Sequence, residues 1–285
     1  MIVLIGATGA VGGEIAKQLV IGGTKAKAIV RDLKKAEGLR QLGLEVVQGD
    51  ADQPGSLRPL LDGAEKLLFS TAAGEHLVET HTKIIEAAKE AQVPHVLKIS
   101  ALPVPNMRFS TLHAESDRLL QDSGLPFTIL RPAYFMQNLL ASARTVQSEG
   151  TLYLPLGEGR IAMIDVRDIA AAAVKTLTDG RHAGKTYDLT GPGAVSGHDV
   201  AAALAKAMDR PVKFVSPEPE AFFNQLLGWG LSSWMLGGVR EMMESFRAGH
   251  GSQITKDVES VLGRKALSLE QFAKDHAHVF AGTAS

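Results

Sequence analysis

The chain has 285 residues, 45% of them hydrophobic and 21% charged, an ordinary globular composition long enough for about two domains. Thirty Lys+Arg balance 31 Asp+Glu for a net charge of −1, which gives no electrostatic argument for nucleic acid or an acidic membrane surface. There is no cysteine, so disulfides, thiolate nucleophiles and thiolate metal sites are excluded.

The first predicted element is a strand, Ile2–Ile5, four apolar residues of which three are β-branched, as suits burial on both faces of a parallel sheet. Gly6, Gly9 and Gly12 follow at intervals of three. Residues 11–21 then read as a helix with Ile15, Leu19 and Val20 on one face. A glycine turn between a buried strand and a helix brings backbone N–H groups and the positive helix end to one point, a site for a pyrophosphate. Gly6 permits the turn, Gly9 removes a Cβ where the pyrophosphate comes close, and Gly12 lets the helix pack back. The apolar run starts without a basic segment before it, so no signal peptide is expected and the cytoplasm is the expected compartment.

Further strands are expected at Ala26–Val30 and at residues 44–47, 66–70, 95–100 and 127–130, with helices at 33–42, 56–61, 76–91 and 111–123 between them. Regular alternation with short connections predicts an α/β fold with a doubly wound, Rossmann-type parallel sheet. Beyond Arg131-Pro132 the rhythm changes. A helix is expected near 134–147, then a short strand pair within 149–164, then a helix capped by Asp165 or Asp168. Residues 185–191, "KTYDLTG", read as a strand returning to the large sheet. The expected division is a dinucleotide-binding part, 1–152 with that strand, and a smaller, mostly helical part, 153–285, interleaved with it. Residues 221–239 carry no charge and approach the length of a membrane span, but four glycines, two serines, Asn224 and Gln225 argue against one. The nine histidines do not cluster: His76 and His81 are five apart and His276 and His278 two apart, so no metal site is expected.

The end of the second strand selects the dinucleotide. It reads Val30-Arg31-Asp32. Arg31 directly follows the apolar run and stands where a 2′-phosphate would be, while Asp32 is placed to cap the helix beginning at Leu33. The reading is NADP(H) in preference to NAD(H); Arg31 as a merely solvated charge is its rival. Asp50 and Ala51 follow the third strand, where Asp50 serves either adenine or the turn before Pro54. Ser70, Thr71 and Ala72 end the fourth strand and leave room for the cofactor ribose. Ser100 ends the fifth strand and Pro132 follows the sixth, and both are expected to contact the cofactor.

The stretches "GATGAVGGEIA", "VRD", "VQGDADQPGSL", "SGLPFTILRPAYFMQNL", "LPLGEGRIAMIDVRDIAAAAVKTL" and "SLEQFAKDHAHVF" resemble the NmrA-like atypical short-chain dehydrogenases, above all their azoreductase-like and quinone-oxidoreductase-like members. The resemblance runs from Met1 to about Phe280. It implies an NADP(H)-binding oxidoreductase of small aromatic acceptors, or a redox-sensing regulator that binds NADP(H) without turnover. It implies cofactor contacts at Gly6, Ala7, Thr8, Gly9, Ala10, Val11 and Gly12, and it admits a homodimer.

The Tyr-x-x-x-Lys pair of the wider short-chain family is absent: four residues after Tyr134, Tyr153 and Tyr187 stand Asn138, Gly157 and Gly191. Hydride transfer does not require it, because the cofactor carries the chemistry and the protein supplies position. The candidate catalytic residues are His113, which related quinone reductases resemble this chain in having, and Tyr134. Asp117, one turn on from His113, is placed to orient the imidazole, which would then donate a proton that fades above neutral pH; solvent is the competing donor. Lys98 lies within the fifth strand with its direction open. Phe135, Met136, Trp229 and Trp234 are expected either to line an apolar acceptor pocket or to be plain core.

Overall fold

The structure, a computed structural model, describes residues 1–282 except 54, 219, 221 and 224–229. Seven parallel strands form one sheet: β1 (Ile2–Ile5), β2 (Ala26–Val30), β3 (Glu45–Gln48), β4 (Lys66–Phe69), β5 (Val96–Ile99), β6 (Phe127–Pro132) and β8 (Lys185–Leu189), in the order β3-β2-β1-β4-β5-β6-β8. β1 lies inside the sheet between β2 and β4, and all four of its residues are buried. Alternation along it serves both faces: Ile2 and Leu4 enter one core cluster, Val3 and Ile5 another. The strand order reverses between β1 and β4, which opens a crevice at the carboxyl ends of the strands.

On one face α1 (Ala10–Ile21) packs against α6 (Val166–Thr178). The small residues Ala170, Ala172 and Ala173 let the two helices approach, and Val11, Ile15 and Leu19 fill the seam with Ile169 and Leu177. On the other face lie α3 (Leu77–Glu90) and α4 (Arg108–Asp122), in contact with each other. Ile84, Ile85 and Leu120 close that core with Leu57 and Leu61. A third apolar cluster joins α5 (Ala143–Glu149), α7 (Gly197–Met208), α8 (Ser233–Arg247) and the C-terminal helical turns, with Leu152, Leu204, Phe246, Phe272 and Phe280 in its centre.

Four local expectations are corrected. Residues 33–42 are a 3₁₀ turn (Leu33–Ala36) followed by α2 (Glu37–Gln41), and only Arg58–Leu61 is helical in the next segment, as a 3₁₀ turn opened by Pro59. The helix expected at 134–147 starts as 3₁₀ over Met136–Ser142 before α5 takes over. The strand pair expected within 149–164 is not local. Its strand β7 (Thr151–Tyr153) pairs in parallel with β9 (Lys213–Val215), Leu152 opposite Phe214, a pairing that no local periodicity encodes. Asp165, not Asp168, caps α6, accepting from Arg167 N–H at 2.9 Å. No helix among the described residues is long and apolar enough to cross a membrane.

Candidate functional site: a dinucleotide crevice opening on an aromatic cavity

The glycine turn is built as three different requirements. Gly6 has φ +89°, and a Cβ there would lie 1.8 Å from the Ser70 carbonyl oxygen, so strain and space both demand glycine. A Cβ on Gly12 would stand 2.2 Å from the Gly6 oxygen, which is the close return of helix to turn. Gly9 differs. Its φ of −84° suits any residue, and an added Cβ would meet only the Gly6 oxygen, at 3.4 Å. The protein itself makes little demand for glycine there, yet Gly9 lines two cavities at once. The first intrahelical bond of α1 runs from Gly13 N–H to Gly9 O at 2.8 Å, so the N–H groups of Ala10, Val11 and Gly12 precede it at the positive helix end.

One cavity, of about 380 Å³, runs from Gly6, Thr8 and Gly9 past Val30 and Arg31 to Gly49, Asp50 and Ala51. The other, of about 430 Å³, runs from Gly9, Ala10 and Val11 past Ser100 and Pro132 into an apolar chamber with Met107, Phe109, Tyr134, Phe135, Met242 and Phe246. Gly9, Ser70, Thr71 and Ala72 line both. Two chambers joined at a glycine turn on a helix N-terminus fit a dinucleotide, with its adenosine half in the first and its nicotinamide half at the mouth of the second.

The structure gives each expected residue a place. Arg31 is exposed and lines the adenosine chamber. Asp32 accepts from Lys34 N–H at 2.9 Å as the cap of the 3₁₀ turn, which leaves the strand tip to Arg31. Asp50 lines the chamber and also makes the turn, accepting from Asp52 N–H at 3.0 Å. Thr8, Ala10, Val11, Ala51, Ser70, Thr71, Ala72, Ser100 and Pro132 all line one or both chambers. Ala7 and Gly12 line neither; they are buried and shape the turn from within. Phe135 lines the second chamber, whereas Met136 is core and Trp234 packs against Phe109 and the Arg108 guanidinium. Trp229 lies outside the described residues.

Beneath the second chamber sits a buried ionic group. Lys98, fully buried, donates to Asp117 Oδ1 at 2.7 Å and to the His113 carbonyl at 3.0 Å. Ser100 Oγ donates to the same Oδ1 at 2.6 Å, and Arg131 Nε donates to Oδ2 at 2.7 Å. This corrects the expected pairing of Asp117 with the His113 imidazole: both carboxylate oxygens are engaged by Lys98, Ser100 and Arg131. His113 lines the chamber with Nδ1 buried and without a hydrogen-bond partner among the described residues. Burial, and next the charge of Lys98, push its pKa down to about 4, with Asp117 opposing. The expected imidazolium donor is therefore absent at neutral pH. Tyr134, edge-on to Phe246 at 5.5 Å between centroids, is pushed up to about 12 by burial, so its phenol keeps its proton. Both groups are neutral at a largely apolar wall. Met107, Phe109, Asn138, Met242 and Phe246 were not anticipated. Met242 and Phe246 come from α8, more than two hundred residues from the glycine turn, and only tertiary packing brings them in.

A parallel sheet with this strand order and a glycine turn at its switch point defines a Rossmann-type dinucleotide-binding protein. The chain belongs to the NmrA-like family, whose model matches residues 1–276. It is 35% identical to the NAD(P)H azoreductase of Xenophilus azovorans, over 98% of this chain and 99% of that one. It is 29% identical to quinone oxidoreductase 2 of Escherichia coli, over 98% and 99%. The structure of an Escherichia coli NADPH-dependent quinone oxidoreductase complexed with NADPH superposes with a TM-score of 0.85 at 28% identity, covering 96% of this chain and 99% of that one.

Proposed function

We propose that this protein is an NADPH-dependent reductase of small aromatic acceptors, of the quinone or azo class. One observation carries the reading: the crevice at the glycine turn opens directly into an uncharged chamber walled by Phe109, Tyr134, Phe135 and Phe246, so an aromatic acceptor stacks where a nicotinamide would end. The sequence relationship to an azoreductase and a quinone oxidoreductase supports it. Gly9 and the N–H groups of Ala10, Val11 and Gly12 hold the pyrophosphate, and Arg31 holds the 2′-phosphate. Bound NADPH supplies the hydride. The protein's part is to hold the acceptor against it and keep water out. Neutral His113 and Tyr134 serve as hydrogen-bond partners for an acceptor oxygen or nitrogen, and the proton that completes reduction comes from solvent, since neither residue is a strong acid at neutral pH. A cytoplasmic location goes with this reading.

The test is NADPH oxidation with a panel of quinones and azo dyes. Turnover is expected with both classes. Tight NADPH binding without turnover would instead establish the redox-sensing regulator, for which the missing Tyr-x-x-x-Lys pair speaks.

A further inference from the structure

His81 belongs to no motif, yet it is fully buried on α3 with both ring nitrogens engaged at short range. Nε2 lies 2.6 Å from Thr71 Oγ1, and Nδ1 lies 2.6 Å from Ser116 Oγ on α4. Thr71 is a half-buried residue two positions beyond β4 and lines both chambers. Ser116 is fully buried, and His81 is its one side-chain partner among the described residues. A buried hydroxyl proton needs an acceptor. The one available to Ser116 is His81 Nδ1, which fixes the imidazole as the Nε2–H tautomer. Nε2–H must then donate to Thr71 Oγ1. With its oxygen already accepting, the Thr71 hydroxyl proton is directed elsewhere, and the remaining space is the junction of the two chambers. Burial, aided by Lys98 and His113, keeps the ring neutral with a pKa of about 2, so the direction of the chain does not reverse with pH in the working range.

We propose that Ser116 and His81 are positioning residues that orient Thr71 as a hydrogen-bond donor to the cofactor oxygens at the junction of the two chambers. The inference rests on the dinucleotide reading above. Two groups, on α3 and α4, thus set the polarity of one hydroxyl just beyond β4. Side-chain networks of this kind polarise along their length, which strengthens the terminal donor.

The tautomer is read directly by ¹⁵N NMR of the imidazole in the full-length protein. Nε2–H is expected for His81, and an Nδ1–H tautomer would overturn the proposal. Affinity for NADPH, measured by calorimetry, gives the second arm. Thr71→Val keeps the shape and removes the donor; it is expected to weaken NADPH about tenfold, the scale of one hydrogen bond, while Thr71→Ser restores most of it. Ser116→Ala frees the tautomer and is expected to weaken NADPH about threefold in the parent but not in Thr71→Val. The same loss from Ser116→Ala in both backgrounds would show a merely structural role and overturn the inference. Failure of the unaltered protein to bind NADPH would overturn the cofactor reading and this inference with it; NADPH binding with the Nδ1–H tautomer would overturn this inference alone.

Discussion

Gly9 and Arg31 carry the cofactor reading, and each can be tested alone. The Cβ of Gly9→Val meets the Gly6 oxygen at a tolerable distance, but its methyls occupy the passage between the two chambers. NADPH binding is expected to vanish by calorimetry while the melting temperature stays near that of the parent. Arg31→Ala is expected to weaken NADPH by about 1.5–3 kcal/mol, the range of charge-assisted hydrogen bonds, and to leave NADH nearly unchanged. The loss should shrink at high salt because the residue is exposed. Equal losses for both cofactors would mean that the guanidinium acts on the fold. For His113 the structure reverses the expected pH behaviour. With its pKa at about 4 the imidazole does not titrate between pH 6 and 9. The pH–rate profile with a quinone in that range should therefore have the same shape in the parent and in His113→Ala. A step near pH 6.5 present only in the parent would falsify the assignment. These residue roles were unequally legible. Glycine spacing and an arginine at a strand tip are local, and the sequence showed them. The partner of Asp117 was misread, because helix periodicity brings His113 within reach but says nothing of Lys98 and Arg131 arriving from two strands.

Among the elements, α8 depends on a clamp at the start of α4. The Arg108 backbone N–H donates to Glu241 Oε2 at 2.9 Å and its Nε donates to Oε1 at 2.9 Å, while Nη1 reaches the Trp234 carbonyl at 3.1 Å. Gly238 permits the approach: a Cβ there would fall 2.2 Å from the Phe109 ring. Phe109, Met242 and Phe246 line the second chamber, so the clamp ties together two elements that wall it. Glu241→Gln is expected to raise KM for the acceptor several-fold with NADPH affinity unchanged, as steady-state kinetics would show. Gly238→Ala should lower stability by about 1–3 kcal/mol, the usual cost of overpacking, read from urea unfolding. A variant as stable as the parent would mean that α8 shifts freely. The strands of the first half were readable to within a residue or two, because a buried parallel strand is a short apolar run bounded by turns. The second half resisted, since β7 and β9 pair across some sixty residues and no local pattern announces the partner.

At the scale of the molecule, buried neutral histidines tie stability to pH. His81, His95 and His113 all have pKa values lowered by burial below the ordinary 6.5, to about 2 for His81 and about 4 for His113. Below pH 6.5 the unfolded chain therefore binds protons that the folded chain does not, and stability rises with pH. The histidine contribution is complete above about pH 6.5 and is lost progressively as pH falls from there toward 4 and below. Chemical unfolding at pH 7.5, 6 and 5 should show the midpoint decreasing; an unchanged midpoint would rule this out. Asp117 acts in the same core. Asp117→Ala leaves Lys98 and Arg131 without their shared counter-charge and should cost about 3–5 kcal/mol.

β8 and α6 have a consequence for how the chain is made. The last strand of the sheet ends at Leu189, and the helix that covers α1 begins at Val166. A nascent chain that has emerged only as far as β6 therefore carries a bare α1 face and an unpaired β6 edge. The ribosome must deliver some forty to sixty further residues before either is covered. During that interval the dinucleotide turn already exists in the chain, but the helix packing that steadies it does not. Productive folding is thus set by synthesis of the second half, and early release of the chain would yield an aggregation-prone fragment rather than a small nucleotide-binding protein.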